Sequence, residues 1–244
     1  MIVLKLVEAI WEKRNLGVSV VEVSLDSQDS LEDIGKVYND LTSKYQYLVF
    51  RVPCNRCDLS LQLQKLGCTF IETAITLSYD LKKFRVDEKY KMFCKNCSWE
   101  LMNDQDLIKL YDEIKSGIFE TDRIYLDPYF SLEQAANRYI FWIQDLIKQN
   151  LMPHKVIFDG ETVGFFVNKP EGKKYKGLLA GVYHKYLKSG LGFLVQYAGL
   201  AYEKSQNATY HFGNVSSNNL SVLKVCIELG GTIKDMQYIL IKHC

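Results

Sequence analysis

Lys176–Gly192, KGLLAGVYHKYLKSGLG, runs from an apolar strand into a glycine-bearing turn, and residues with helical spacing follow it. The strand is expected over Lys176–Tyr183, the turn over His184–Gly192 and the helix over Gly190–Lys204. The first amides of a helix have no intrahelical acceptor. Together with the helix dipole they form a seat for a phosphate or pyrophosphate. Gly190 and Gly192 would let such a ligand come close to the backbone, and Lys185 and Lys188 add positive charge. A G-x-G turn is also what a helix start needs when small residues must pack there, so on its own the turn supports both readings.

Downstream, a strand (Thr209–Val215), the pair Asn218-Asn219, a helix (Asn219–Leu229), Gly230 and a last strand (Thr232–Ile241) complete the chain. Upstream, Gly17–Leu25, Tyr47–Val52 and Thr69–Leu81 read as strands, with helices over Ser30–Tyr45 and Asp58–Leu66 between them. Lys82–Glu88 is a charged connector. Lys91–Met102 reads as a strand, and Asn103–Ser116 and Ser131–Gln149 as helices, the last opened by the capping-box pair Ser131 and Gln134. Lys155–Phe158 and Thr162–Asn168 flank an Asp159-Gly160 turn and form a hairpin. Leu66-Gly67-Cys68-Thr69-Phe70 and Leu229-Gly230-Gly231-Thr232-Ile233 each close a helix and open a strand, which points to two copies of one β-α-β design, the first truncated.

Composition narrows the function classes. The 244 residues carry 30 Lys and Arg against 29 Asp and Glu, a net charge of +1. So balanced a chain gives no electrostatic case for binding nucleic acid or a membrane surface. The apolar runs Tyr47–Val52 and Val163–Val167 are too short to span a bilayer. Met1–Trp11 is interrupted by Lys5 and Glu8 and is not expected to be a signal peptide. Seven cysteines, an odd number, fit reduced thiols and a cytoplasmic location.

The order strand, Gly-turn, helix, strand, Asn, helix, Gly, strand resembles the cofactor-binding half of the GCN5-related N-acetyltransferase superfamily. The Gly turn, Asn219 and Gly230 match its pattern; Leu187 stands where Arg or Gln is usual, and Cys226 where Tyr is usual. A closer resemblance is to dTDP-fucosamine acetyltransferase-like enzymes. It is carried by Phe119–Pro128, by Tyr139 with Trp142-Ile143, by Gly177–Gly181, by Gly230-Gly231-Thr232 with Tyr238, and by Trp11-Glu12 with Leu16-Gly17. The fold this implies is α/β, a mixed sheet flanked by helices. An incomplete N-terminal unit (residues 1–84) would be fused to a complete catalytic one (residues 89–244).

The resemblance implies an enzyme that moves acetyl from acetyl-CoA, as co-substrate, to the amine of a nucleotide-linked amino sugar by direct attack. Leu179, Ala180, Gly181 and Val182 would bind pantetheine and the thioester carbonyl. Lys188, Ser189, Gly190, Leu191 and Gly192 would hold the pyrophosphate, and Asn219 the cofactor arm. The acid for the leaving thiolate falls on Cys226, with Tyr238 or water as substitutes, and the base for the amine on His184 or Glu161. Cys226 has an equally simple reading as a small buried residue of a helix. Asp122, Arg123, Tyr125 and Asp127 would form the acceptor pocket, an Arg among acids and aromatics suiting a nucleotide diphosphate; alternatively Asp122 and Arg123 are an ion pair that fixes the loop. Other small amines or peptides as acceptors, or a non-catalytic acyl-CoA binding module, are the competing readings. A homodimer follows from the resemblance alone.

Cys54-Asn55-Arg56-Cys57 and Cys94-Lys95-Asn96-Cys97 form two C-x-x-C pairs. Paired thiolates are zinc ligands, but 36 residues separate the pairs and the strand reading points Cys94 and Cys97 to opposite faces. No metal is expected.

Overall fold

Alternating apolar residues build ten strands that join edge to edge in one mixed sheet. The computed structural model describes residues 4–244, so the first three residues of the Met1–Trp11 stretch lie outside it. In chain order the elements are β1 (Lys5–Glu8), α1 (Trp11–Leu16), β2 (Val20–Ser24), α2 (Leu31–Lys44), β3 (Tyr47–Pro53), α3 (Cys57–Lys65) and β4 (Thr69–Asp80). Then come α4 (Glu88–Lys95), β5 (Cys97–Leu101), α5 (Asp104–Lys115), α6 (Arg123–Leu126), α7 (Leu132–Lys148), β6 (His154–Phe158), β7 (Glu161–Glu171) and β8 (Lys174–Val182). A short 3-10 turn (His184–Tyr186), α8 (Gly192–Ser205), β9 (Tyr210–Ser216), α9 (Leu220–Glu228) and β10 (Thr232–His243) end the chain.

Side-chain alternation sorts the helices onto two faces. Leu48, Phe50, Val52 and Leu240 pack with Ile34, Tyr38, Leu59 and Leu63 of α2 and α3. Tyr47, Val49, Ile239 and Ile241, their neighbours in sequence, pack with Ile124 and Ala135 of α6 and α7. Farther along the sheet, Phe166 meets α8, while Phe165 and Val167 meet α5 and α7. One face therefore carries α2, α3, α4, α8 and α9, and the other α1, α5, α6 and α7.

The strand order is β1-β2-β3-β10-β4-β9-β8-β7-β6-β5. β2 and β3 run parallel, and so do β8 and β9. The succession β2-α2-β3-α3-β4 thus repeats as β8-α8-β9-α9-β10, and Gly67 and Gly230 end α3 and α9 with φ of 85° and 86°. The last strands are exchanged between the two halves. β3 pairs with β10, the final strand of the chain, and β9 pairs with β4. β4 and β10 pair antiparallel with each other at the centre. The expected division near residues 84–89 falls in the link between β4 and α4, but the sheet runs unbroken through both halves.

One local expectation is corrected, and two elements are added. Lys91–Met102 is not one strand: α4 ends at Lys95 and β5 begins at Cys97. Asp87 caps α4 by accepting the Lys89 amide, and Tyr90, Phe93 and Cys94 follow at helical spacing against the α8 core. Near the start, β1 and α1 add a strand and a helix that the sequence pattern did not reveal. The C-x-x-C pairs end up at β3 and β5, seven positions apart in the sheet order. At about 4.8 Å per strand that is roughly 30 Å, beyond any shared metal.

Candidate functional site

β8 and β9 are partners only from Lys174↔Tyr210 to Gly177↔Gly213. Beyond that point each keeps its outer neighbour and loses the other. Leu179–Val182 stay paired with β7, and Asn214–Ser216 with β4. A bulge at Leu178, between the pairs Val167↔Leu179 and Asn168↔Gly177, turns β8 away where the fork opens. Leu179, Ala180, Gly181 and Val182 therefore border a wedge on the side facing β9, where no strand pairs with them. Gly164 lets β7 lie close beneath this edge, since a Cβ there would sit 2.3 Å from the Gly181 carbonyl oxygen.

The base of the fork is braced from α8. Glu203 is fully buried and accepts from His211 Nδ1 at 2.8 Å. Burial pushes the Glu203 carboxyl above its usual range, and His211 opposes it. The His211 ring lies over Gly177, where a Cβ would come 2.9 Å from Cε1.

The turn leading to α8 is tight, with two residues of positive φ. Lys188 and Gly190 hold left-handed backbone, φ 62° and 86°. Ser189 Oγ donates to the Tyr186 carbonyl and accepts the Leu191 amide. Among the described residues, the amides of Lys188, Gly190 and Gly192 have no acceptor. No side chain caps α8, so its positive end faces solvent. The equivalent helix of the first half differs. Ser30 caps α2 by accepting the Asp33 amide, and β2 and β3 stay paired over the whole of β2. Only the second half has both a fork and an uncapped helix start.

Asn219 stands on the opposite wall, its Oδ1 accepting the Val222 amide at 3.2 Å and leaving Nδ2 free to donate. His184 is exposed at the mouth, its backbone amide held by Glu113. Glu161 is exposed and accepts from Tyr186 OH. Tyr238 lies away from the wedge. Cys226 is buried where α9 packs on Tyr79, and burial raises its thiol pKa. Tyr238 sits on β10 in the α2–α3 core, two strands from β9.

The four acceptor-pocket candidates surround α6. Arg123 is buried, its Nη2 at 2.9 Å from Glu22 and 3.7 Å from Glu12. Asp122 caps α6 through the Tyr125 amide and accepts from Tyr139 OH at 2.8 Å. Arg138 completes the set, donating to Glu12 Oε1 at 2.8 Å. Asp122 and Arg123 do not pair with one another: Arg123 is held by Glu22 and Glu12, and Asp122 by Tyr139 and Arg138. Tyr125 is half-buried. Asp127 is buried and accepts from His243 Nε2 and from the Tyr129 amide. Sequence reasoning missed Glu72, Tyr129 and His243, which come near the end of β9 only through the exchange of β4 and β10, and Glu203 and His211, which meet where α8 packs on β9.

No helix among the described residues is long and apolar enough to cross a membrane. No protein-family model and no curated protein matches the sequence. Solved structures do match the fold. A GCN5-related N-acetyltransferase from Sphaerobacter thermophilus superposes with a TM-score of 0.66 at 10% identity, covering 98% of this chain and 76% of that one. A tandem GNAT protein from the clavulanic acid biosynthesis pathway gives 0.56 at 10% identity, over 93% and 77%. The glucosamine N-acetyltransferase region of a fungal multi-domain beta-N-acetylglucosaminidase gives 0.64 at 10% identity, over 98% of this chain and 31% of that one. The chain has the GCN5-related N-acetyltransferase fold.

Proposed function

We propose that the protein is an acyl-CoA-dependent N-acyltransferase, taking acetyl-CoA in the wedge between β8 and β9. The observation that carries this reading is the fork beyond Gly177 and Gly213, which leads directly to the uncapped start of α8. Pantetheine amides would replace the strand partner missing along Leu179–Val182. The pyrophosphate would take the free amides of Lys188, Gly190 and Gly192. Asn219 Nδ2 would donate to the cofactor arm.

An acceptor amine, once neutral, attacks the thioester carbonyl, and an amide forms as the C–S bond breaks. Oriented N–H groups on the β8 edge would stabilise the oxyanion. A thiol of ordinary pKa, near 8.5, leaves without a strong acid near neutrality. The burial of Cys226 is therefore compatible with turnover, water supplying the proton. The acceptor to which the sequence resemblance points, an amine on a nucleotide-linked sugar, needs cations for its diphosphate. Arg123 and Arg138 already face carboxylates. The acceptor is therefore proposed only as an amine on a small molecule.

Thermal unfolding with millimolar acetyl-CoA tests the donor site. Saturation at one hundred times Kd adds about 2.7 kcal/mol, which raises Tm by roughly 5–10 °C in a chain of this size. Thiol release with a panel of amines then tests turnover. Stabilisation without release from any amine would leave a non-catalytic acyl-CoA binding module; no stabilisation would refute the donor site.

A further inference from the structure

The exchanged strand brings a carboxylate to the acceptor side of the fork. Glu72 of β4 lies in one row with Ile239 of β10 and Arg51 of β3, on the face that carries α6 and α7. Its strand pairs with the end of β9, Ala74 opposite Ser216, and Thr73 and Ser217 exchange hydrogen bonds of 2.9 and 2.8 Å just past the ladder. The cations that face Glu72 are already held: Arg51 by Glu22 at 3.2 Å and Arg123 by Glu22 at 2.9 Å. Glu72 forms no ion pair of its own among the described residues. Burial pushes its carboxyl above the usual range. Asp122 adds to this, while the Ser216 hydroxyl, Arg123 and Arg51 oppose it.

A cleft of about 650 Å³ runs along the start of β4, over Thr69–Ile71, and ends one residue before Glu72. Its walls include Phe70, Ile71, Leu126, Tyr129, Asn218 and His243. No Lys or Arg lines it. Its one carboxylate, Asp127, is closed off by His243 at 2.8 Å. Tyr129 stacks on His243 with ring centroids 4.2 Å apart and is 64% exposed, so one face of its ring is free.

We propose that this cleft is the acceptor site, that Glu72 is the catalytic base, and that the acceptor is a ring-bearing primary amine without a phosphate group. The proposal rests on the acyl-transfer reading of the fork. The Glu72 carboxylate takes one proton from the substrate ammonium. The freed nitrogen lone pair attacks the thioester carbon, and the C–S bond breaks. A second N–H proton leaves with the sulfur as free thiol, and Glu72 returns its proton to solvent. The exposed face of Tyr129 receives the ring. A diphosphate finds no cation in the cleft and meets an unpaired carboxylate beside it.

The full chain is assayed for thiol release from acetyl-CoA with glucosamine, tyramine and UDP-glucosamine. Faster release with a free amine than with the nucleotide-linked one is expected. Glu72→Gln should lower kcat/KM about a hundredfold, leave the Kd of acetyl-CoA within twofold, and abolish the acid limb of the wild-type pH profile. Tyr129→Ala changes an exposed side chain. It should raise the KM of the free amine about fivefold, as expected for loss of a stacking contact of about 1 kcal/mol, with Tm unchanged. A preference for UDP-glucosamine, full activity of Glu72→Gln, an unchanged KM in Tyr129→Ala, or acetyl-CoA binding with no release from any of the three amines would each overturn the acceptor assignment while leaving the donor site standing. Failure of acetyl-CoA to bind would bring down both. If Glu72→Gln does not fold, the Tyr129→Ala and UDP-glucosamine comparisons decide.

Discussion

Gly177 and Gly213 face one another as the last paired residues of β8 and β9, and the His211 ring, fixed by Glu203, lies against both. A methyl group at position 177 would come 2.9 Å from His211 Cε1, so the ring would have to leave the buried carboxylate that holds it. Gly177→Ala is expected to cost about 1–3 kcal/mol, lowering Tm by roughly 3–10 °C, and to weaken acetyl-CoA binding. Calorimetry with and without the coenzyme checks both. An unchanged Tm would show that the ring is not wedged there.

Gly190 separates stability from binding. Its surroundings are open, but its φ of 86° is unfavourable for any residue with a Cβ. Gly190→Ala should cost about 1–2 kcal/mol of local strain. The turn can relieve that strain by shifting its amides, which raises the Kd of acetyl-CoA about tenfold. Isothermal titration measures this, and an unchanged Kd would argue that those amides do not hold the pyrophosphate.

Cys226 tests the proton inventory. The thiol is buried, and burial raises its pKa. Cys226→Ala should keep kcat within twofold and cost about 1 kcal/mol of stability. A tenfold loss of kcat at unchanged KM would make the thiol an acid after all.

The Glu22 network sets a pH dependence. Burial alone would raise the Glu22 carboxyl, but Arg123 and Arg51 outweigh it and hold the group below its usual range. A lowered folded pKa gives stability that is present above the ordinary carboxylate pKa and is lost as pH falls through the folded value. Wild type should therefore exceed Glu22→Gln in Tm at pH 7 by several degrees, and the gap should shrink below about pH 4. A gap that stays constant down to pH 3 would contradict the network.

The exchange of strands makes the halves interdependent. A fragment of residues 85–244 lacks β4, the partner of both β9 and β10. It should show no cooperative unfolding and no stabilisation by acetyl-CoA. Co-expression with residues 1–84 should restore both. A fragment that folds and binds alone would refute the need for the exchange.

Much of this architecture was legible in the chain. Ser131 with Gln134 and Asn103 with Asp106 form capping boxes where the helices were expected to open. Gly67 and Gly230 marked equivalent helix ends, and the repeat they suggested is present as β2-α2-β3-α3-β4 and β8-α8-β9-α9-β10. α4 was not legible as read, because Tyr90, Phe93 and Trp99 are residues that favour strands. The spacing of Tyr90, Phe93 and Cys94 held the correcting signal. The acceptor side was illegible for a different reason. Ile71-Glu72-Thr73 reads as an ordinary alternating strand with a polar residue turned to water. Nothing local says that its neighbour will be β9, whose residues lie about 140 positions later in the chain.

β3 and β4 are complete once residue 80 has been made, yet neither can pair with the strand that belongs between them until the chain has reached His243. During synthesis, the first half therefore waits with two open strand edges and apolar residues, among them Val49 and Ile75, whose covering helices have yet to be made. Its native state is reached only by late insertion of β10 between β3 and β4. Until then, the nascent protein is most exposed to mispairing with other chains and most dependent on chaperones.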